Sequence, residues 1–521
     1  MLPLLNKRIV AYLAILVFVI AKLPHLQAAF YWDESWVYAP AIFLMYAHGP
    51  SLLPNSIPAE YSRGHPLLYQ AACALWMDIF GKSNFSMHCF ALAVSVILAI
   101  TVYVTIRKLF GPRAALIAVV LLLFNVPFYA QSSFLLTDIA LGLFALLAIF
   151  SYSRDRFVIT AIALTLGMYT KESGLVVCGV LGLDALLGAV GRRASAKTKV
   201  FRILSVFVPL IALAGFFLLQ KTELGYYLFP GHLAIINTGF SYTCAHIFQS
   251  FTHLLIYEHG FLNFAVLLVL TIAAVLAVKK AGYLWLPAML CAVYACIIFL
   301  SYKDLLFYVL LLSIIAMVIW LLKHPIKQYD AVQQKFVRLS AAFCAAFIYF
   351  SSINFYEERY LFPVALMASV VLLSIAIDHF LLLLPKNLFL LVLGALVGSG
   401  MYAMIHKGVE MDAYRRMALQ QEMTAYFENN RLYNSAICCP QFFNRIHLQD
   451  PKTGFLKTGV AFPHITDHLE PRSAYVVLDN IDPPDALLDK IKRDSAFTLV
   501  AHFYATPDSI DIYKRIAPID Q

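Results

Sequence analysis

Five groups of ionisable residues interrupt an otherwise apolar chain. Asp33 and Glu34 stand together in Tyr31-Trp32-Asp33-Glu34-Ser35-Trp36, and Arg63-Gly64-His65-Pro66 follows in the same polar stretch. Asp138 lies in Leu136-Thr137-Asp138-Ile139-Ala140. Lys171 and Glu172 lie in Thr170-Lys171-Glu172-Ser173-Gly174, and Glu357-Glu358-Arg359-Tyr360 precedes another apolar run. These residue types carry a recognisable chemistry. A carboxylate takes a proton from a hydroxyl nucleophile, and Lys, Arg or His stabilises charge that develops on an anion such as phosphate. Asp33, Glu34 and His65 together also offer oxygen and nitrogen donors to a divalent metal ion. Each group has a plainer reading as well. Asp-Glu after a helix can be a solvated cap, His65 can be polar surface, and Lys171 and Arg359 can touch lipid headgroups. Asp138 is harder to dismiss, because an unpaired carboxylate at an apolar helix start is costly; it calls for a cation, and Lys171 is the candidate.

The elements that must position these groups are set by composition. Of 521 residues, 61% are hydrophobic and 13% charged, with a mean hydropathy of +0.76, which excludes a water-soluble globular chain. Apolar stretches long enough to cross about 30 Å of hydrocarbon recur along it, and backbone amides in lipid must pair within their own segment, so the stretches are helices. We expect about 13 of them, at 9–28, 86–106, 114–130, 134–151, 157–170, 174–190, 203–220, 259–278, 283–300, 305–322, 337–354, 361–381 and 388–406. The basic residues sort by loop. With the amino terminus in the cytoplasm, 19 Lys and Arg fall in inner loops and seven in outer loops before the tail, the positive-inside pattern. That sorting explains the net charge of +9 without a nucleic-acid partner. In this orientation all five polar groups lie at the outer boundary, which implies one outward-facing site. Asp184 and Asp378 lie away from it and are read as packing or interface groups.

Residues 1–406 are thus read as a mainly α, polytopic membrane module, whose first outer loop, 24–85, contains an amphipathic stretch from His65 to Phe80 suited to the interface. From 407 to 521 the composition turns polar. Strand-like runs at Tyr475 to Leu478 and Phe497 to Phe503 alternate with a helical segment from Asp485 to Arg493, so we expect a small soluble α/β domain on the outer face. Most of the nine cysteines sit in apolar segments, and Cys438 and Cys439 are adjacent, which rarely gives an unstrained disulfide. No internal repeat of the transporter kind is present.

The order of the motifs resembles the GT-C membrane glycosyltransferases: Asp33-Glu34 after the first helix, then a basic residue and Pro before an interfacial helix ending Trp76-Met77-Asp78-Ile79-Phe80-Gly81, then Arg107 to Arg113. Thr137-Asp138, Thr170-Lys171 and Arg359-Tyr360-Leu361-Phe362-Pro363 resemble elements of the branch containing the protein O-mannosyltransferases and the lipid A aminoarabinose transferase. The resemblance implies transfer of a sugar from undecaprenyl or dolichyl phosphate to a hydroxyl of a protein, lipid A or a surface glycan. It implies Asp33 as general base, Glu34 orienting the acceptor or Asp33, and Lys171, Arg359 and His65 on the phosphate. Asp138 would position Lys171 or the sugar and Tyr360 would line the cavity, with Arg63, Glu172 and Glu358 beside them. Some members use a divalent ion near the first-loop carboxylates. Where relatives often have Gly, this chain has Glu172. The compact size and a lone Asn84-Phe85-Ser86 sequon point to a bacterial inner membrane. A transporter or flippase of lipid-linked substrates, and a scaffold that binds polyprenyl phosphate without chemistry, are the competing classes.

Overall fold

The computed structural model describes residues 7–190, 195–252, 254, 329–354, 358–381, 394, 397–398, 401, 409–480, 485–505 and 508–516. The helices expected at 259–278, 283–300 and 305–322 lie outside the described residues, as does nearly all of 388–406.

The chain opens with α1 (Lys7–Lys22), which gives way at Pro24 to a single 3-10 turn, Leu23–His25. The first loop then builds α2 (Ala39–His48), α3 (Ala59–Ser62) and α4 (Leu68–Phe80). On α4, Tyr69, Ala71, Cys73, Ala74 and Met77 are buried while Leu75, Ile79 and Phe80 are exposed, as suits a helix lying along an apolar boundary. Next come α5 (Asn84–Phe110), α6 (Pro112–Leu123), α7 (Val126–Gln131), α8 (Thr137–Ser153), α9 (Phe157–Thr170), α10 (Leu175–Val190) and α11 (Ala196–Leu224). They are followed by α12 (Pro230–Ala234), α13 (Phe240–Thr252) and α14 (Ala331–Ile353). Then α15 (Phe362–Ala365) runs through a π-helical stretch, Leu366–Leu372, into α16 (Leu373–Leu381).

Five helices among the described residues are long and apolar enough to cross a membrane, and α6, α8 and α9 are shorter apolar helices. The stretch expected as one helix at 114–130 is two. The Asn125 side chain accepts from the Phe128 backbone N–H at 2.9 Å, and Pro127 sits in the first turn that follows, so the chain restarts a helix there. Residues 114 to 123 of α6 are all buried. This helix packs against α1, α5 and α16, and α8 packs against α5 and α9. By contrast, α9, α10 and α11 turn apolar residues such as Val158, Ile162, Leu187 and Ile211 outward.

After α17 (Val409–Asn429) the chain forms a five-stranded sheet in the order β2-β1-β3-β5-β4. Its elements are β1 (Ile437–Cys438), α18 (Phe442–Gln449), β2 (Ile465–Thr466), β3 (Tyr475–Asp479), α19 (Asp485–Arg493), β4 (Phe497–Ala505) and β5 (Asp508–Arg515). Pairing is parallel from β1 to β2 and β3, and antiparallel from β5 to β3 and β4. Fully buried β3 lies in the middle, and Cys438 and Cys439 are both free thiols. Contacts tie this segment to the first loop and to α1: the Phe30 N–H donates to Thr453 O at 2.8 Å, and Lys22 Nζ, which also donates to Tyr129 O of α7 at 2.7 Å, donates to Tyr414 Oη at 2.6 Å.

His447, on α18, is fully buried and stacked on Phe455 with ring centroids 3.7 Å apart. Neither ring nitrogen has a hydrogen-bond partner. Burial first, and the Arg416 charge second, push its pKa from 6.5 down to about 3. Between those two values the unfolded chain binds a proton that the folded chain refuses, so this contribution to stability is complete above pH 6.5 and is lost as the pH falls towards 3. Thermal unfolding between neutral and acid pH is therefore expected to be less acid-sensitive in His447→Gln than in the native chain.

Candidate active site

The turn carrying Asp33 is held in place by its neighbour. Trp32 adopts a left-handed backbone, φ 51°, and Asp33 precedes a single π-helical turn, Glu34–Tyr38; such turns recur at functional sites. Glu34 is fully buried. Its Oε1 accepts the Leu135 N–H at 2.6 Å and lies 3.2 Å from His88 Nε2, while its Oε2 accepts the Tyr31 N–H at 3.0 Å. Glu34 therefore fastens the Asp33 turn to α5 and to the segment before α8. This differs from the expectation that it orients an acceptor or Asp33, because both carboxylate oxygens are engaged inside the protein.

Asp33 stays partly accessible, its side chain 15% exposed. Its Oδ1 accepts from Trp36 Nε1 at 3.0 Å, and its Oδ2 pairs with the Arg359 guanidinium. Arg359 and Tyr360 lie on a 3-10 turn, Glu358–Leu361, ahead of α15, and a second guanidinium contact reaches Tyr360 Oη at 3.1 Å. The Tyr360 ring in turn lies 4.1 Å beneath Lys171 Nζ, which donates to Asp138 Oδ1 at 2.7 Å. Asp138, in the first turn of α8, is 2% exposed, so the cation expected for it is present. Asp33, Arg359, Tyr360, Lys171 and Asp138 thus form one connected string from four separated segments. Arg359 Nε is buried without a hydrogen-bond partner.

His65 and Glu172 form a second pair, Nδ1 to Oε2, at 2.6 Å. Two backbone devices place them. Arg63 and Gly64 are both left-handed, φ 49° and 72°, and the tight turn lets the His65 N–H reach Ser62 O at 2.9 Å. A Cβ on Gly64 would come within 3.1 Å of Phe229. On the other side, α9 ends at Thr170, Lys171 becomes extended, and Gly174 closes a 3-10 turn so tight that a Cβ there would stand 2.9 Å from the Gly167 and Met168 backbone. Gly174→Ala is accordingly expected to cost about 1 to 3 kcal/mol of stability, read as a lowered Tm, and to loosen the Lys171–Asp138 contact. The His232 ring sits 4.8 Å from that of His65. Burial, reinforced by the His65 charge, pushes its pKa down to about 4, so His232 is neutral near pH 7.

The remaining expected residues divide. The Arg63 guanidinium packs over Trp36 at 4.4 Å and so sits beside the Asp33 turn. Glu358 contributes backbone to the 3-10 turn, its side chain lying outside the described residues together with Glu357. Asp33, Glu34 and His65 do not converge on a point, each facing a different partner, and no group of three or more His, Cys, Asp or Glu side chains among the described residues could share a metal ion. Asp184 accepts from Tyr152 Oη at 2.8 Å and Asp378 pairs with Arg113, both packing groups as expected. Not anticipated from the sequence were Trp36, His88, His232 and Tyr38, whose hydroxyl lies 3.3 Å from Thr137 Oγ1 beside Asp138. Only Trp36 carried a signal, since three residues after Asp33 puts it on the same face of a helical turn. Trp32 stacks on Phe443 at 5.0 Å and Trp36 meets Phe442 edge-on at 5.3 Å, so α18 borders the candidate base.

The chain is similar to one transferase family over part of its length and to the fold of ArnT over nearly all of it. The sequence profile of the dolichyl-phosphate-mannose-protein mannosyltransferase family matches residues 64–218, which include His65, Asp138, Lys171 and Glu172. Among solved structures, ArnT from Cupriavidus metallidurans bound to undecaprenyl phosphate superimposes with a TM-score of 0.51 at 13% identity, covering 98% of each chain. The apo state of the same protein gives 0.51 at 14% identity, again covering 98% of each chain. The archaeal oligosaccharyltransferase AglB from Archaeoglobus fulgidus gives 0.46 at 13% identity over 91% of this chain and 69% of that one. A comparison with curated protein sequences finds no match. With its apolar helices and this fold, the chain is an integral membrane protein.

Proposed function

We propose that the chain is an inverting glycosyltransferase that moves a sugar from a polyprenyl phosphate to an acceptor hydroxyl at the outer face of a bacterial inner membrane. One observation carries this reading: a partly accessible carboxylate, Asp33, adjoins Arg359, whose buried Nε–H lacks an acceptor. A buried unsatisfied donor is costly, and a phosphate oxygen would satisfy it. In the reaction, the acceptor O–H gives its proton to Asp33 as the oxygen bonds to the anomeric carbon. The bond from that carbon to the phosphate oxygen breaks on the opposite face, and the polyprenyl phosphate leaves with its added charge beside Arg359 and Lys171. Asp138 holds Lys171 in place, Tyr360 spaces the two cations, and the His65–Glu172 pair borders the sugar. The donor class is supported by the fold shared with ArnT, whose structure holds undecaprenyl phosphate. The acceptor is a hydroxyl of a protein, lipid A or a surface glycan. No step is routed through a metal ion, because the candidate ligands face apart.

The test uses the full chain in lipid vesicles, with labelled sugar on undecaprenyl phosphate and bacterial envelope extract as acceptor source. The expected result is acceptor-dependent release of free undecaprenyl phosphate and movement of label onto extract. Intact donor throughout would sink the proposal, and intact donor that crosses the bilayer would identify a transporter. In the same assay Lys171→Gln is expected to lower kcat about 10²-fold, with a smaller change in KM for donor, since the ammonium opposes charge that grows only as the bond breaks.

A further inference from the structure

At the opposite end of α5 and α8 from the string of charges lies a groove of about 470 Å³, within the usual size of about 300 to 1,000 Å³ for ligand sites. Its walls are apolar, with Ile100, Val104, Leu147 and Ile159 among them, and three cations, Lys108, Arg154 and Arg156, also line it. Asp138 lies in the first turn of α8 and Arg154 follows its last residue, so at 1.5 Å per residue the groove is about 25 Å from the candidate active site along that helix.

The charge at the groove is segregated by the backbone. After Ser153 the chain reads Arg154-Asp155-Arg156, and Asp155 takes a left-handed conformation, φ 53°, uncommon for a residue with a side chain. Its carboxylate leaves the groove and binds Arg202 at 3.0 Å and Lys335 at 3.3 Å. Both flanking arginines face the groove. The Arg154 guanidinium rests over the Phe150 ring at 5.6 Å, and none of Lys108, Arg154 and Arg156 has a carboxylate partner among the described residues. All three are exposed. No acidic residue lines the groove.

We infer that this groove binds an anionic glycerophospholipid of the membrane, the acyl chain lying along the apolar wall and the headgroup phosphate among Lys108, Arg154 and Arg156. Apolar walls require hydrocarbon, and three cations without carboxylate partners select net negative charge. A choline or ethanolamine headgroup would bring its own ammonium into that cluster. Such a site is separate from the one that handles the sugar donor.

The test is lipid retention by the purified full chain. In detergent, native mass spectrometry is expected to show one phosphatidylglycerol per chain that survives conditions stripping phosphatidylcholine, and retention should fall at least tenfold in Arg154→Gln/Arg156→Gln. Val104→Trp, which fills the wall and leaves the cations, should lower it similarly. Lys108→Gln, the mildest change, provides a readout if the double variant does not fold. Equal retention of the two lipids by the native chain, or unchanged phosphatidylglycerol retention in Lys108→Gln and Val104→Trp, overturns the inference. Sugar transfer is not the readout, so this result stands apart from the proposed activity.

Discussion

The Asp33→Asn variant is expected to transfer sugar roughly 10²- to 10⁴-fold more slowly than the native chain, the range that general-base help supplies. Asparagine keeps the shape of aspartate, and its carbonyl oxygen can still accept from Trp36 Nε1, which now bonds Asp33 Oδ1 at 3.0 Å. What is lost is the ability to take a proton. The substitution also removes the anionic partner of Arg359, an ion pair in which Arg359 is 10% exposed and Asp33 15%. These two effects separate experimentally. A guanidinium freed from Asp33 is more available to phosphate, so the KM for the lipid donor is expected to hold or fall while kcat collapses, a split that general damage would not produce. An unfolding midpoint within a few degrees of the native one would confirm that the site survives. Native kcat in this variant would remove Asp33 from the role of base.

Much of the helical framework was readable in advance. The residues expected for α9 are those observed, and so are those of α19, because each is a run of one period between clear breaks. The carboxylate at Asp138 and the cation that meets it were also legible, since an apolar helix start makes an unpaired charge expensive. Pairings across long separations were not. His65 meets Glu172 over 107 positions and Asp33 meets Arg359 over 326, and no local pattern encodes such distances. Strands β1 and β2 are two residues each, too short for alternation to register. Most of β4 was read, as the run from Phe497 to Phe503, yet β5, which alternates Ile510, Ile512 and Lys514 with polar or aromatic neighbours, was not singled out as its partner. The π-helical turns at Glu34–Tyr38 and Leu366–Leu372 depend on tertiary packing, whereas the break at Asn125 has a local cause in its own cap and Pro127.

Glu34 marks the sharpest limit of sequence reasoning, because adjacency to Asp33 suggested shared chemistry while burial assigns it another task. Glu34→Ala is expected to destabilise the fold by about 3 to 5 kcal/mol, the usual cost of removing one partner of a buried charged network. The Leu135 and Tyr31 N–H groups would lose their acceptor, and His88, 1% exposed, its carboxylate. Glu34→Gln should fall between, since an amide has one acceptor oxygen and turns an NH2 towards a group that is itself a donor. Unfolding midpoints in detergent measure both. Leu135 stands just before Thr137 and Asp138, so Glu34 also sets the spacing between the Asp33 turn and the start of α8. Transfer by Glu34→Gln should therefore decline with the folded fraction, and the folded molecules should keep a near-native KM for acceptor. A variant that folds as stably as the native chain yet loses transfer would instead place Glu34 at the substrate.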